Sequence, residues 1–344
     1  MPPRRPAPSP TDEQRRARAR GALLGLAVGE ALGAATRGRA LLAPSFPGLA
    51  DTPRDPTAGA LGPATLAVIA LSHALGGGGP YSPGTAVLHH RQWLERTPEA
   101  PDVARDALTN EHLRNWPHQA SHAAWIRTQK RPPDGLALAR TVPLALHFAS
   151  DAQVRSEAVQ QDVRLTHADP RAVLAAVALQ GAISAAVHTA AESHAPLFAA
   201  ALADLTRGAA VLGSVDRELI PEAHDAVRQL KEDLAAAEKP DPLLYGPELH
   251  LQRSGPNARL SLRLAFWELA HAPTLGAGLL DVVNRGGEAG INGAVAGALL
   301  GARFGDSALP ARWRASVMML RGPRPAGHGA PAWDLPTLLA PYEG

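Results

Sequence analysis

Apolar residues in this chain recur at intervals of three and four, and no stretch alternates apolar with polar positions as a half-buried strand would. The pattern predicts an all-α fold. Thr11 and Gln14 stand in capping-box register, and Leu23, Leu26, Ala27, Glu30 and Ala34 then share one face of a helix running to about residue 35. A second apolar helix opens near Pro63 and runs through LAVIALSHAL; proline at a first helical position is pre-set for helical φ. After the GGGG at 76–79, helical spacing covers 83–96, 103–127 and 134–149. Residues 172–188 are apolar on every side, broken only by Gln180 and short of the roughly 20 residues that span a bilayer, so they predict a buried core helix. Further helices are predicted at 190–211 and over EAHDAVRQLKEDLAAAEK with its solvated charged face.

The stretch NRGGEAGINGAVAGALLGARFG, residues 284–305, is a glycine-rich turn entering a helix of small residues. Gly293, Gly297 and Gly301 fall four apart, on one helix face, where each loses about 1 kcal/mol relative to alanine and lets another backbone come close. Between the helices, residues 38–61 are rich in Pro, Gly and Asp and predict an irregular surface loop. The Pro-rich residues 1–10 predict a disordered lead-in and 316–344 an irregular tail, and the residues between, 11–315, are long enough for one large domain or two.

Composition narrows the chemistry. The chain has 344 residues, 45% of them hydrophobic, enough for a large core. Formal net charge is +2 and the arginines are scattered, which gives no footprint for nucleic acid. There is no cysteine, so any metal would take oxygen or histidine ligands. The charged run ahead of residues 22–28, with Glu30 interrupting them, argues against an export signal; a cytoplasmic protein with no membrane association is expected.

Several motifs resemble those of the ADP-ribosylglycohydrolase family, in the family's order, from about residue 18 to 315. ARGALLGLAVGEALGAATRGR is similar to its opening Gly-Asp-Ala-Leu-Gly followed by a metal-binding glutamate. Gly29, Ala31, Leu32 and Gly33 match, Glu30 replaces the aspartate, and Arg37 aligns with the glutamate. Gly62, Pro63, Ala64 and Thr65 stand where the family has Thr-Asp-Asp-Thr, and Gly286 to Ile291 stand where it has Gly-Gly-Asp-x-Asp-Thr. GLALARTVPLALHF resembles the segment whose Asn-Gly turn holds the diphosphate of ADP-ribose; Gly135 and Leu136 fall at that turn, or Asp134 and Gly135 with a slip of one. Thr166, His167, Asp169 and Pro170 match Thr-His-x-x-Pro, and Leu309, Pro310 and Trp313 resemble the terminal Pro-x-x-Trp.

The resemblance implies one all-α multi-helix domain with a central cleft, and an activity that removes ADP-ribose from modified side chains using two magnesium ions. The ligand set does not carry over. Arg37, Gly62, Pro63, Ala64, Glu288, Gly290 and Ile291 offer one carboxylate and one cation at the aligned metal positions, and no Asp or Glu lies between Pro56 and Leu94. No metal cofactor is therefore expected, and a silent enzyme with a binding or scaffolding role is one reading. An altered, metal-independent hydrolase using Glu288 and Glu30 as acid and base is the other. His167, Gly287, Asn292 and Gly135 are the candidate ligand-binding residues, with ADP-ribose or an ADP-ribosylated protein as the implied partner. Glu30 could instead pair locally on its helix, and His167 could be a structural hydrogen-bonding group. Arg37 is expected either to face Glu288 as a buried pair or to point to solvent.

Overall fold

The computed structural model describes residues 9–34, 36–38, 60–76, 78–109, 117–189, 193–239, 255, 257–323 and 331–343. Among them there is no strand, only an isolated bridge between Ala60 and Arg321. Helix α1, Asp12–Ala34, opens with the predicted capping box, the Thr11 N–H donating to Gln14 Oε1 and the Gln14 N–H to Thr11 Oγ1. Its partner is α14, Ala289–Phe304, and glycines on both helices explain why. A Cβ built at Gly21, Gly25 or Gly29 would lie 1.9–2.2 Å from the carbonyl oxygens of Gly301, Gly297 and Gly293 in turn. One number rises by four as the other falls by four, so the helices run antiparallel with their backbones in direct contact. The small-residue face predicted at 293–301 is met by a second such face on α1, Gly21 to Gly33.

Between them come α2 (Pro63–Leu75), α3 (Pro83–Arg96), α4 (Asp102–Thr109) and α5 (Pro117–Arg127). The single helix expected over 103–127 is thus two helices. The helix expected over 134–149 is also two, α6 (Leu136–Arg140) and α7 (Val142–His147), with Thr141 at the break. Pro143 has no N–H to continue the first ladder. Gln180 answers the break from across the core, its side-chain N–H group donating to Leu138 O at 2.8 Å and Thr141 Oγ1 at 3.0 Å. The polar interruption of an apolar run therefore secures a neighbouring helix junction.

Next are α8 (Ala152–Val163), which the sequence reading leaves unassigned, and α9 (Pro170–His188). Helix α9 packs against α1, α6, α7 and α8, and against α10 (Ala195–Val215), α11 (Ile220–Ala237), α12 (Ala258–His271) and α14. Neighbours on all sides account for its all-round apolar pattern. By length and composition α9 and α10 could each cross a membrane, but 89% of the apolar window of α9 is buried inside the fold. Helix α13 (Leu275–Asn284) leads into α14, and α15 (Ala311–Met318) follows it. The tail is not irregular throughout: α16 (Leu335–Leu339) is capped by Asp334 and buries Leu335, while Trp333 joins the core. The residues expected to be disordered at 1–8 and most of the loop at 38–61 lie outside the described residues.

Candidate functional site

A cavity of about 530 Å³ opens where the N-terminal ends of α2, α6, α9 and α14 converge beside the C-terminal end of α1. Leu61, Leu136, Ile291, Leu320 and Trp125 supply apolar wall. Glu30, Arg37, Glu99, Asp102, Arg131, Asp134, His167, Asp169 and Glu288 supply the ionisable groups.

Glu30 is buried, and its oxygens are spoken for. The N–H of Ala64 donates to Oε1 at 2.7 Å; the N–H and hydroxyl of Thr65 donate to Oε2 at 2.8 and 2.6 Å. Pro63 occupies the first helical position as predicted, so Glu30 satisfies N–H groups that begin α2 and have no partner within it. This is neither local pairing on α1 nor a free acid. Gly62 leaves the room, since a Cβ there would lie 2.4 Å from Glu30 Cδ. Burial pushes the Glu30 pKa up, against these donors and the charge of Arg37.

Gly286 and Gly287 take positive φ in the turn before α14, and Gly287 O accepts from the N–H of Gly38, itself at positive φ. That bond ties the two loops together and brings Arg37 Nη2 to 3.4 Å from Glu288 Oε2. The pair is not buried: the Arg37 and Glu288 side chains are 56% and 30% exposed. The expected buried pair is therefore a rim contact.

A connected set of buried polar groups reaches the cavity from the core. Asp162 Oδ2 accepts from Arg140 Nε at 2.8 Å, and its Oδ1 accepts from Tyr81 Oη at 3.0 Å and lies 2.7 Å from His90 Nε2. Burial opposes ionisation of Asp162, but Arg140, His90 and Tyr81 outweigh it and hold its pKa far below the ordinary carboxylate value. Arg140 Nη1 donates to Thr166 Oγ1 at 2.8 Å, which lies 2.7 Å from His167 Nδ1. His167 Nε2 is 3.3 Å from Asp134 Oδ1, which also accepts the Leu136 N–H at 2.8 Å. Burial would raise the Asp134 pKa; His167, the Leu136 N–H and Arg140 more than offset it and lower it. A carboxylate can only accept, so Nε2 of His167 carries a proton. Asp169 caps α9 by accepting the Arg171 N–H at 2.8 Å, takes the indole N–H of Trp125 at 3.1 Å, and is gripped by the Arg171 guanidinium.

Of the residues expected at a site, the fold gathers Glu30, Arg37, Gly62, Pro63, His167, Glu288, Gly290 and Ile291 around the cavity. Ala64 is fully buried in α2. Gly135 does not reach the cavity; it lies beneath Ser261 and Ile291, where a Cβ would be 2.5 Å from Ser261 Oγ. Asn292 is buried and accepts from Ser261 Oγ at 2.7 Å, while Gly287 serves the loop contact. These three hold the frame rather than line the space. Sequence reading missed Trp125, Arg131, Glu99 and Asp102, for which no spacing gives a signal. Asp134 was legible only as the slipped alternative at the Asp-Gly turn. Among the described residues no group of three or more His, Asp or Glu side chains could hold a metal ion.

The solved structure titled "ADP-ribosylglycohydrolase-related protein complex" superposes with a TM-score of 0.59 at 21% identity, covering 87% of this chain and 92% of that one. This likeness concerns the fold. No curated protein gives a sequence match. The sequence profile described as ADP-ribosylglycohydrolase matches residues 11–327. With nearly its whole length so matched, the chain belongs to the ADP-ribosylglycohydrolase family.

Proposed function

We propose that this protein is a catalytically silent ADP-ribosylglycohydrolase whose cleft has been kept as a binding site. The observation that carries this reading is the engagement of Glu30, whose oxygens are taken by Ala64 and Thr65. The one carboxylate at an aligned metal position, Glu288, has the Arg37 guanidinium beside it. Two magnesium ions need near-octahedral shells of oxygen, and their four positive charges need several carboxylates. One carboxylate spent on a helix end and one beside a cation do not fit such a pair. A metal-independent hydrolase would use Glu30 and Glu288 as acid and base, and the burial that raises the Glu30 pKa is in keeping with an acid. Its oxygens, however, face α2 and not a substrate.

The test is release of ADP-ribose from peptides modified on arginine and on serine, with and without Mg²⁺, beside a calorimetric titration with Mg²⁺. Neither turnover nor saturable Mg²⁺ binding is expected. Mg²⁺-dependent turnover that disappears in Glu288→Ala would overturn the proposal.

A further inference from the structure

Leu61 and Leu320 both line the cavity, and the Leu61 N–H donates to Arg321 O at 3.2 Å, so the two segments make one piece of wall. That wall continues into Gly322, where the carbonyl of Trp333 leaves no room for a Cβ. Trp333 is 4% exposed and is held from α2 and α3. The His73 ring meets the indole edge-on, centroids 5.4 Å apart at 88°, and His73 donates to the carbonyl of Ala332, the residue before it. The Arg96 guanidinium lies 5.2 Å from the same indole. Beyond Trp333, α16 buries Leu335, Leu338 and Leu339, and Arg20 Nη1 donates to Tyr342 O at 2.8 Å.

The histidines make this fastening depend on protons. Among the described residues His73 Nε2 is buried with no hydrogen-bond partner, so the bond to Ala332 uses Nδ1 and the neutral ring is the form that fits. A second proton would sit on Nε2 without an acceptor, with the His89 ring 6.1 Å away. His89 is in a like position: its Nδ1 is buried and unpartnered among the described residues, and His90 stands next to it. Burial first, and then the neighbouring ring, hold both histidines below their ordinary value of 6.5. The Ala332 carbonyl and Asp334 pull His73 the other way and are outweighed. No other element packed on α2 or α3 adds a charge that acts on either ring among the described residues. Arg96, already over the indole, becomes a third cation in the cluster once the rings are charged.

Going beyond the reading of the cleft as silent, we propose that this cluster is an acid-released clasp: in mildly acidic solution His73 and His89 take up protons, Trp333 comes away, and the cavity wall at 320–322 loosens with it. The sign follows from linkage. A ring whose value is lowered in the closed form binds protons more readily once the clasp opens, so the clasp is at full strength above 6.5 and weakens as pH falls from there. Histidine is the side chain whose ordinary titration falls in that range.

Hydrogen exchange of the full chain at about pH 7.5 and about pH 5.5, corrected for the intrinsic effect of pH on exchange, tests this. Peptides covering 331–343 and 318–323 are expected to lose protection by about tenfold or more at the lower pH, relative to a peptide from α9 that reports global opening. His73→Asn offers an amide N–H to the Ala332 carbonyl and takes up no proton in this range. It is expected to keep the protection seen near neutrality and to lose most of the pH dependence. Should that variant fail to fold, His89→Asn, which removes the neighbouring charge, is expected to shrink the effect severalfold. Protection that does not change with pH in 331–343, or in 318–323, overturns the proposal. So does a pH dependence that survives in both variants, which would place the titrating group elsewhere. Neither readout depends on whether the cleft is catalytic.

Discussion

The carboxylate of Glu30 on α1 receives both the N–H and the hydroxyl of Thr65 on α2, at 2.8 and 2.6 Å, across a contact closed to solvent. Glu30→Ala leaves the N–H groups of Ala64 and Thr65 buried without an acceptor, and each such group costs about 1–3 kcal/mol. Gly62→Ala is destabilising by a different route, since its Cβ meets the Glu30 carboxylate. The two changes are coupled: Gly62→Ala is expected to cost much less in a Glu30→Ala background. Urea denaturation of the four proteins measures the coupling, and additive effects would show that Gly62 and Glu30 act independently.

The α1–α14 contact makes a sharper demand. Alanine in place of a helical glycine is ordinarily worth about 1 kcal/mol of added stability. At Gly25 its Cβ would lie 2.2 Å from Gly297 O, so Gly25→Ala should instead destabilise by about 1–3 kcal/mol. Gly79, where nothing lies within 4 Å, is the control, and Gly79→Ala is expected to be close to neutral. Equal melting temperatures for the two variants would remove the close backbone contact as an explanation.

Arg37 and Glu288 are opposite charges 3.4 Å apart, yet both reach solvent. Water screens such a pair, so Arg37→Ala is expected to cost less than about 1 kcal/mol, rather than the larger loss of a broken buried pair. A double-mutant cycle with Glu288→Gln, repeated at high salt, checks this: the small coupling energy should shrink further with added salt.

Asp162 is the buried counterpart. Its folded-state pKa is depressed, so the stability it contributes is present above the ordinary carboxylate value of 3.8 and is lost as pH falls from there toward the folded value. Asp162→Asn leaves Arg140 buried without its counter-charge and should cost about 3–5 kcal/mol at neutral pH. The gap between variant and wild type should close as the solution is acidified. Unfolding midpoints taken through the acid range would show parallel curves if Asp162 were not ionised in the native state.

Glu268 behaves with the opposite sign. Burial, then its hydrogen bond to Asp281 and the charge of Asp281, raise its pKa well above 4.5. A raised folded-state value contributes stability that is complete below the unfolded value and disappears as pH rises through the folded one. Glu268→Gln keeps a donor for Asp281 and cannot ionise. The variant is therefore expected to gain on wild type steadily from acid to alkaline pH, as differential denaturation would show.

The helical class was readable because a period of three to four residues is a local property, and capping signals such as Thr11 with Gln14 act within one turn. The Gly293, Gly297 and Gly301 face likewise announced a close backbone neighbour. Which helix fills that role depends on an antiparallel register between segments some 270 residues apart in the chain, and only packing sets it. The same holds at the cavity. Which residue types stand at the aligned positions could be read along the chain, whereas Glu30 reaching the start of α2, and the carboxylates gathered at four helix ends, depend on how the helices converge. Whether Arg37 meets Glu288 in the core or at the rim was also a tertiary matter, because burial belongs to the surrounding fold and not to either residue.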